Sequence, residues 1–181
     1  MRKSLSLLLV TMLGAATLTA ATLAGVTLPD SVKVGDKTLV LNGLGLRSKM
    51  MFKVYVAGLY IEQKSSDGNA IVNADAPKRI TLHFVRNVTN DQIKEAIVDA
   101  FDANAKSALK SQIDQFGAAL EPFSENDEMS MTYVPGTGTV LNVKGKDKLT
   151  IAGFPFAKAL FGIWLGANPP SSSLKDGMLG K

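Results

Sequence analysis

The stretch Met50–Ile61, MMFKVYVAGLYI, decides how the rest of the chain is interpreted. Its β-branched and aromatic residues predict a strand. One face of this strand carries Phe52, Val54, Val56, Gly58 and Tyr60, and the other carries Lys53, Tyr55, Ala57, Leu59 and Ile61. Because both faces are largely apolar, we expect the strand to be covered on both sides, by helices on one side and by a second layer or a cavity on the other.

The segments on either side of this strand predict a strand-rich fold with helices grouped between and after the strands. The predicted strands are the hairpin 32–41 around Gly35-Asp36, then 79–86, 129–134, 140–143 and 148–151. The predicted helices are 66–74, one that begins at the capping box Thr89–Gln92, one that ends before Pro122, the apolar segment 154–165 and a last short helix after Ser171–Ser173. Asn42-Gly43 and Gly45 are expected to interrupt the chain before Leu46. This order indicates an α+β fold with an antiparallel sheet.

Length and composition bound the class of protein. A chain of 181 residues with 46% hydrophobic and 20% charged residues forms one ordinary globular domain. Its 20 basic and 16 acidic residues give a charge of +4, which falls to about +2 without Arg2 and Lys3, and this argues against nucleic-acid binding. The absence of cysteine excludes disulfides and thiol chemistry, and suits an oxidising compartment.

The first residues predict a secretory signal peptide. Arg2 and Lys3 precede the apolar run 5–13, LSLLLVTML, and small residues follow it. We expect segment 1–24 to be removed and 25–181 to form the mature domain, with cleavage after Ala24 or, alternatively, after Ala21. The apolar run is about half of the ~20 residues that span a bilayer, so an uncleaved anchor is the weaker interpretation. The prediction is export to a bacterial periplasm, without a transmembrane segment in the mature chain.

Most standard catalytic sets are missing from the sequence. His83 is the single histidine, so zinc sites with several His or Cys ligands cannot form, and a hydrogen-bonded sheet histidine is its best interpretation. Arg47 is more informative, because it lies in an apolar, glycine-rich stretch that leads into the doubly covered strand. A buried guanidinium needs an anion or several acceptors, and Tyr55 or Tyr60 could add a hydroxyl donor for a carboxylate. The alternative is that Arg47 pairs with an acidic side chain of its own protein and that the tyrosines belong to the core.

Two pairs of motifs resemble the chalcone isomerase-like family. The first pair is 41–47, LNGLGLR, followed by 52–61, FKVYVAGLYI, which is similar to the family's Gly-x-Gly-x-Arg turn and a strand ending in Gly-aliphatic-Tyr. The second pair is 161–166, FGIWLG, and 174–180, LKDGMLG, which resembles the family's C-terminal helices. The resemblance implies an open-faced antiparallel β-sandwich with helices on one side and a ligand cleft between helices and sheet.

The resemblance also implies a role for Arg47. In plant chalcone isomerases the matching arginine stabilises a substrate phenolate, and in the fatty-acid-binding proteins of the same fold it holds a carboxylate with a strand tyrosine. Tyr55 falls where the fatty-acid binders carry tyrosine and the plant enzymes carry threonine, which favours the binding branch. We therefore expect a small amphipathic carboxylate such as a fatty acid to contact Arg47 and Tyr55, with Ala57 and Leu59 lining its hydrocarbon chain.

Two alternatives stay open at the level of sequence. The first is a chalcone isomerase-type intramolecular lyase, in which Arg47 and Tyr55 would be the catalytic residues. The second is a structural envelope protein that reuses the fold. In all three cases the expectation is a monomer that needs no metal or cofactor.

Overall fold

The computed structural model of the protein describes residues 20–181. The basic start and the apolar run of the predicted signal peptide lie outside these residues. Residues 20–23 form a strand, although they fall inside the segment 1–24 that the sequence assigns to the signal peptide. The cleavage position remains a prediction.

Nine strands and six helices are formed within residues 20–181. The strands are β1 (Ala20–Leu23), β2 (Val26–Pro29), β3 (Ser31–Val34), β4 (Lys37–Lys49), β5 (Phe52–Ile61), β6 (Lys78–Phe84), β7 (Glu128–Val134), β8 (Gly138–Val143) and β9 (Lys146–Ile151). The helices are α1 (Gly68–Asn73), α2 (Asn90–Ile97), α3 (Ala103–Ala108), α4 (Lys110–Ala119), α5 (Phe154–Leu165) and α6 (Ser172–Met178).

Strands β3 to β9 form one antiparallel sheet in sequence order, and β1 and β2 form a separate hairpin. The helices enter between β5 and β6, between β6 and β7, and after β9. The predicted capping box is present, with Thr89 accepting from the backbone N–H of Gln92 and the Gln92 side chain accepting from the N–H of Thr89. The α+β fold with an antiparallel sheet and helices on one side is therefore confirmed.

Strand β5 is buried on both faces, as its sequence predicts. On one face Tyr55, Ala57 and Leu59 pack in the main core with apolar residues of α2, α4, α5 and α6. On the other face Val56 packs against Val26 and Leu28 of the β1–β2 hairpin. The second cover is thus a layer of protein rather than a cavity.

Strand β4 differs from the sequence prediction. It runs for 13 residues through Asn42-Gly43 and Gly45, where the sequence predicts an interruption. A β-carbon on Gly43 would lie 2.2 Å from the carbonyl oxygen of Gly177, and one on Gly45 would lie 2.2 Å from that of Leu174. These glycines are needed because helix α6 lies directly on the strand, not because the chain turns.

Within residues 20–181, none of the helices combines the length and the apolar composition that crossing a bilayer requires.

Candidate functional site

A cavity of ≈ 530 Å³ lies beside the hairpin that joins β4 to β5. Its walls come from the ends of β4, β5 and β6, from α2, and from the chain between α5 and α6. Its charged and polar lining residues are Arg47, Lys49, Tyr55, Arg86, Asn87, Gln92, Glu95 and Asn168. Its apolar lining residues are Met50, Phe52, Val54, Phe84, Val88, Ile93, Ala96, Ala100, Ile163 and Pro170. The mixture of one apolar wall with a few cations fits an amphipathic ligand.

Arg47 is held at the wall of this cavity by the packing of α6 on β4. The close contacts at Gly43 and Gly45 bring the start of α6 next to the end of the strand. Arg47 Nη1 then donates to the backbone carbonyl oxygen of Pro170, one residue before the N-cap of α6, at 2.7 Å. This bond fixes the direction of the half-buried side chain.

The hydrogen bonding of Arg47 is incomplete. A guanidinium carries five N–H donors, and one of them is used by Pro170. No carboxylate within residues 20–181 forms a salt bridge with Arg47, so the interpretation that it pairs with an acidic side chain of its own protein is not supported in this part of the chain. Arg47 lines the cavity, so its remaining N–H groups can donate to an anion there.

Tyr55 is directly opposite Arg47 in the register of β4 and β5, so the two side chains share a face of the sheet. Its buried hydroxyl accepts a hydrogen bond from Trp164 Nε1 at 3.1 Å. Because an indole N–H can only donate, the hydroxyl keeps its own hydrogen to donate to a second group. Burial raises the pKa of Tyr55 to about 12, and the Trp164 hydrogen bond and the charge of Arg47 oppose this rise without cancelling it. Tyr55 is therefore a neutral donor at physiological pH.

The structure brings Arg47 and Tyr55 together at the cavity but does not place Ala57 and Leu59 there. Both residues are fully buried in the main core and neither lines the cavity. They share the face of Tyr55, but farther along β5 that face is filled by core side chains such as those of α5. The apolar wall is supplied instead by residues such as Val54 and Phe84 near the hairpin end of the sheet, and by Ile93 of α2.

Two further cations lie around the cavity. Arg86 follows β6, and its guanidinium carbon lies 5.0 Å from the ring centroid of Phe52. Lys49 pairs with Glu95 of α2 at 3.3 Å, with both side chains largely exposed. The sequence analysis missed Arg86 because contact between the end of β6 and the start of β5 depends on strand order. Phe52 is paired with the end of β4 at the start of β5. Tyr55 is paired with Phe84 at the end of β6, and this pairing brings Arg86 next to Phe52.

His83 takes no part in the cavity. His83 Nδ1 lies 2.9 Å from Glu128 Oε1, and the two residues are opposite each other in β6 and β7. This agrees with the interpretation of a hydrogen-bonded sheet histidine. Within the described part of the chain, no group of three or more His, Asp or Glu side chains is arranged to hold a metal ion.

The comparisons with known proteins agree with the fold. The family model described as chalcone isomerase-like matches residues 20–180. The chain belongs to the chalcone isomerase-like family.

A solved structure extends this similarity to three dimensions. The crystal structure of an Arabidopsis thaliana fatty-acid binding protein superposes with a TM-score of 0.72, covers 89% of this chain and 96% of that chain, and is 15% identical. At this identity the likeness concerns the fold. A comparison with curated proteins gives no match.

In this chalcone isomerase-like protein, the Gly-x-Gly-x-Arg motif lies within strand β4 rather than in a turn. Its glycines admit the backbone of α6, and its arginine donates to the carbonyl oxygen of Pro170, which leads into the same helix. The motif therefore joins the docking of the C-terminal helix to the placement of Arg47.

The chalcone isomerase-like domain also contains a second buried cation, which the sequence analysis did not identify. Lys78, 2% exposed, begins β6 and donates to the carbonyl oxygens of Ile71 at 2.8 Å and Ala74 at 2.5 Å. Its Nζ lies between 5.3 and 5.8 Å from the ring centroids of Tyr133, Phe154 and Phe161. Burial lowers the pKa of Lys78 to about 8, and the charge of Asp75 limits this decrease.

Proposed function

We propose that this protein binds a fatty acid or a similar amphipathic carboxylate in the cavity beside the β4–β5 hairpin. The carboxylate meets Arg47 and the Tyr55 hydroxyl, and the hydrocarbon chain follows the apolar wall. Hydrocarbon burial supplies most of the affinity, at about 0.8 kcal/mol per buried methylene, and the head group sets orientation and specificity.

One observation carries this proposal. Arg47 is half-buried beside a cavity, is fixed by a single backbone carbonyl, and has no acidic partner within residues 20–181. Removing a charge from water without pairing it is costly, so an anion supplied by a ligand would complete the site. The fork of the guanidinium matches the two oxygens of a carboxylate.

The state of Tyr55 fits a donor to a ligand head group. A phenol with a pKa of about 12 is protonated at neutral pH, so it can donate a hydrogen bond to a carboxylate. The size of the cavity, ≈ 530 Å³, lies within the range of roughly 300–1,000 Å³ that is usual for small-molecule sites. The fold likeness to a protein named as fatty-acid binding supports the same class of ligand.

The test is displacement of a fluorescent fatty acid from wild type and from Arg47→Ala. We expect Arg47→Ala to lose about 100-fold in affinity, because hydrogen bonds to charged groups contribute about 1.5–3 kcal/mol. Arg79→Ala is the matched control, since Arg79 donates to Ser130 Oγ at 3.0 Å and does not line the cavity. Equal affinity of wild type and Arg47→Ala would refute the proposal. Cyclisation of a chalcone that is lost in Arg47→Ala would favour the isomerase instead.

We also propose that the protein is exported to the periplasm, on the basis of the basic start and apolar run of its first residues. Intact-mass measurement of the protein from a periplasmic extract would test this. A mature chain that starts after Ala21 or Ala24 agrees with the predicted segment. A full-length chain in the cytoplasmic fraction contradicts it.

A further inference from the structure

Large hydrophobic side chains are exposed at one place in residues 20–181, the tip of the β4–β5 hairpin. Met50 is 92% exposed, Met51 is 94% exposed and Phe52 is 59% exposed. The other methionines of the described chain, Met129, Met131 and Met178, are fully buried. Three consecutive exposed apolar residues at a projecting turn indicate a contact surface rather than scattered surface hydrophobicity.

The turn at this tip is not optimised for folding. Lys49 pairs with Phe52, so Met50 and Met51 form a two-residue connection, and Met50 has φ +57°. Two-residue hairpin turns normally place glycine, asparagine or aspartate at positions with positive φ, because other side chains are strained there. Met50 therefore costs folding energy in this turn without forming core contacts.

Cations flank the apolar tip on both strands. Lys49 precedes it and Lys53 follows it, and both are exposed. Arg86 lies over the ring of Phe52 and adds a third positive charge. Glu95, the carboxylate in contact with this group, is paired with Lys49. Neither Lys53 nor Arg86 forms an ion pair with a carboxylate of the described chain. An apolar tip ringed by cations is complementary to a bilayer with anionic headgroups.

The tip is also continuous with the cavity. Lys49, Met50 and Phe52 belong both to the hairpin end and to the lining of the cavity. A surface that the tip enters would therefore lie next to the cavity opening.

We propose that the hairpin tip, residues 49–53, docks this protein onto an anionic phospholipid surface. Met50, Met51 and Phe52 enter the acyl boundary, and Lys49, Lys53 and Arg86 contact the headgroups. The docking itself does not depend on the proposed function. Its role does rest on that function, because docking would let an amphipathic acid pass between the bilayer and the cavity.

The test is flotation of the whole protein with phosphatidylcholine vesicles, with and without phosphatidylglycerol. Wild type is expected to bind the vesicles that contain phosphatidylglycerol, and the double variant M50N/M51G to bind them at least about 100-fold more weakly, at roughly tenfold per lost methionine. The same variant is expected to keep the Tm of wild type within about 2 °C, because asparagine tolerates the positive φ at position 50 and both replaced side chains are exposed. Weaker binding without loss of stability excludes loss of fold as the explanation.

The contribution of the lysines to vesicle binding is tested with a separate double variant. Lys49→Gln with Lys53→Gln is expected to reduce binding several-fold and to weaken its dependence on phosphatidylglycerol and on salt. Lys146→Gln, a change of one exposed lysine at the start of β9, is the control and leaves binding unchanged. Equal vesicle binding by wild type and M50N/M51G overturns the proposal. Self-association through the tip, lost in M50N/M51G and with no vesicle binding, also overturns it.

The two proposals fail separately. Displacement of a fluorescent fatty acid in solution, without vesicles, reports on the cavity. Met51→Asn is expected to keep that affinity unchanged, since Met51 is exposed and does not line the cavity, and to weaken vesicle binding by roughly tenfold.

Discussion

Arg47 and Lys78 are two cations of the same domain that donate to backbone carbonyl oxygens, and they differ in how completely the protein surrounds them. Lys78 is enclosed, with two carbonyl acceptors at the end of α1 and three aromatic rings around its ammonium group. Arg47 has one carbonyl acceptor and a cavity on its other side. The burial of Lys78 is thus offset inside the protein, whereas the hydrogen bonding of half-buried Arg47 is incomplete.

The difference separates a structural cation from a candidate binding cation. Partners of Lys78 belong to the chain itself, so its removal should affect stability and leave ligand affinity intact. Arg47 lacks partners within the described chain for most of its donors, so its removal should affect affinity and change stability little.

The largest expected effect is on stability at Lys78. Lys78→Ala should lower the free energy of unfolding by about 3 kcal/mol, because it leaves two buried carbonyls without a donor and opens a cavity. Lys78→Met keeps most of the side-chain volume and should cost less. Urea unfolding measures both variants, and fatty-acid displacement should show unchanged affinity in each at low temperature. A Lys78→Ala variant as stable as wild type would contradict the structural role.

The pH dependence of stability should follow from Lys78 and the tyrosines. Folded Lys78 loses its proton near a pKa of about 8, and the unfolded chain keeps it to about 10.5. Between these values the unfolded state binds more protons, so the free energy of unfolding rises with pH. Burial raises the pKa of Tyr55, Tyr60 and Tyr133 to about 12, so the folded state binds more protons from pH 10 upward and stability falls there.

Urea unfolding from pH 7 to pH 11 measures this profile, with a maximum expected near pH 10 by the sign of both effects. Lys78→Met should lose the rise between pH 8 and 10 and keep the fall above pH 10. If the free energy of unfolding of Lys78→Met still rises between pH 8 and 10, a group other than Lys78 produces the rise.

A smaller effect is expected at Tyr55. Tyr55→Phe removes the acceptor of the Trp164 indole and one donor to the carboxylate, so both stability and affinity should fall by about 1 kcal/mol. Tyr60→Phe is the matched control, because the Tyr60 hydroxyl donates to Pro29 O at 2.9 Å on the opposite side of the sheet. It should cost similar stability and leave affinity unchanged. Equal loss of affinity in the two variants would place Tyr55 outside the binding site.

Local patterns predicted most of the fold. The two-faced apolar pattern of β5, the capping box of α2 and the apolar run of α5 each gave an element that the structure contains. These signals lie within a few residues of one another, so one sequence is enough to detect them. The continuity of β4 was missed because glycine at Gly43 and Gly45 reflects the approach of α6, about 130 residues later in the chain.

Only the part of the candidate site that depends on residues near one another in sequence was predicted. Arg47 and Tyr55 belong to adjacent strands of one motif, and the register opposes them as the motif suggests. Ala57 and Leu59 lie on the expected face, but nothing in β5 itself shows where core packing ends and the cavity begins. Lys78 was missed because a lysine at a strand end is usually exposed, and its acceptors come from the end of α1.

The most direct test of the account compares the dissociation constants of a long-chain fatty acid and the alcohol of the same chain length in wild type and Arg47→Ala. Wild type should prefer the acid by about 10- to 100-fold, Lys78→Met should keep that preference, and Arg47→Ala should bind both ligands with the affinity of the alcohol. A preference for the acid that survives in Arg47→Ala, or that wild type never shows, would contradict the claim that Arg47 awaits the carboxylate of a ligand.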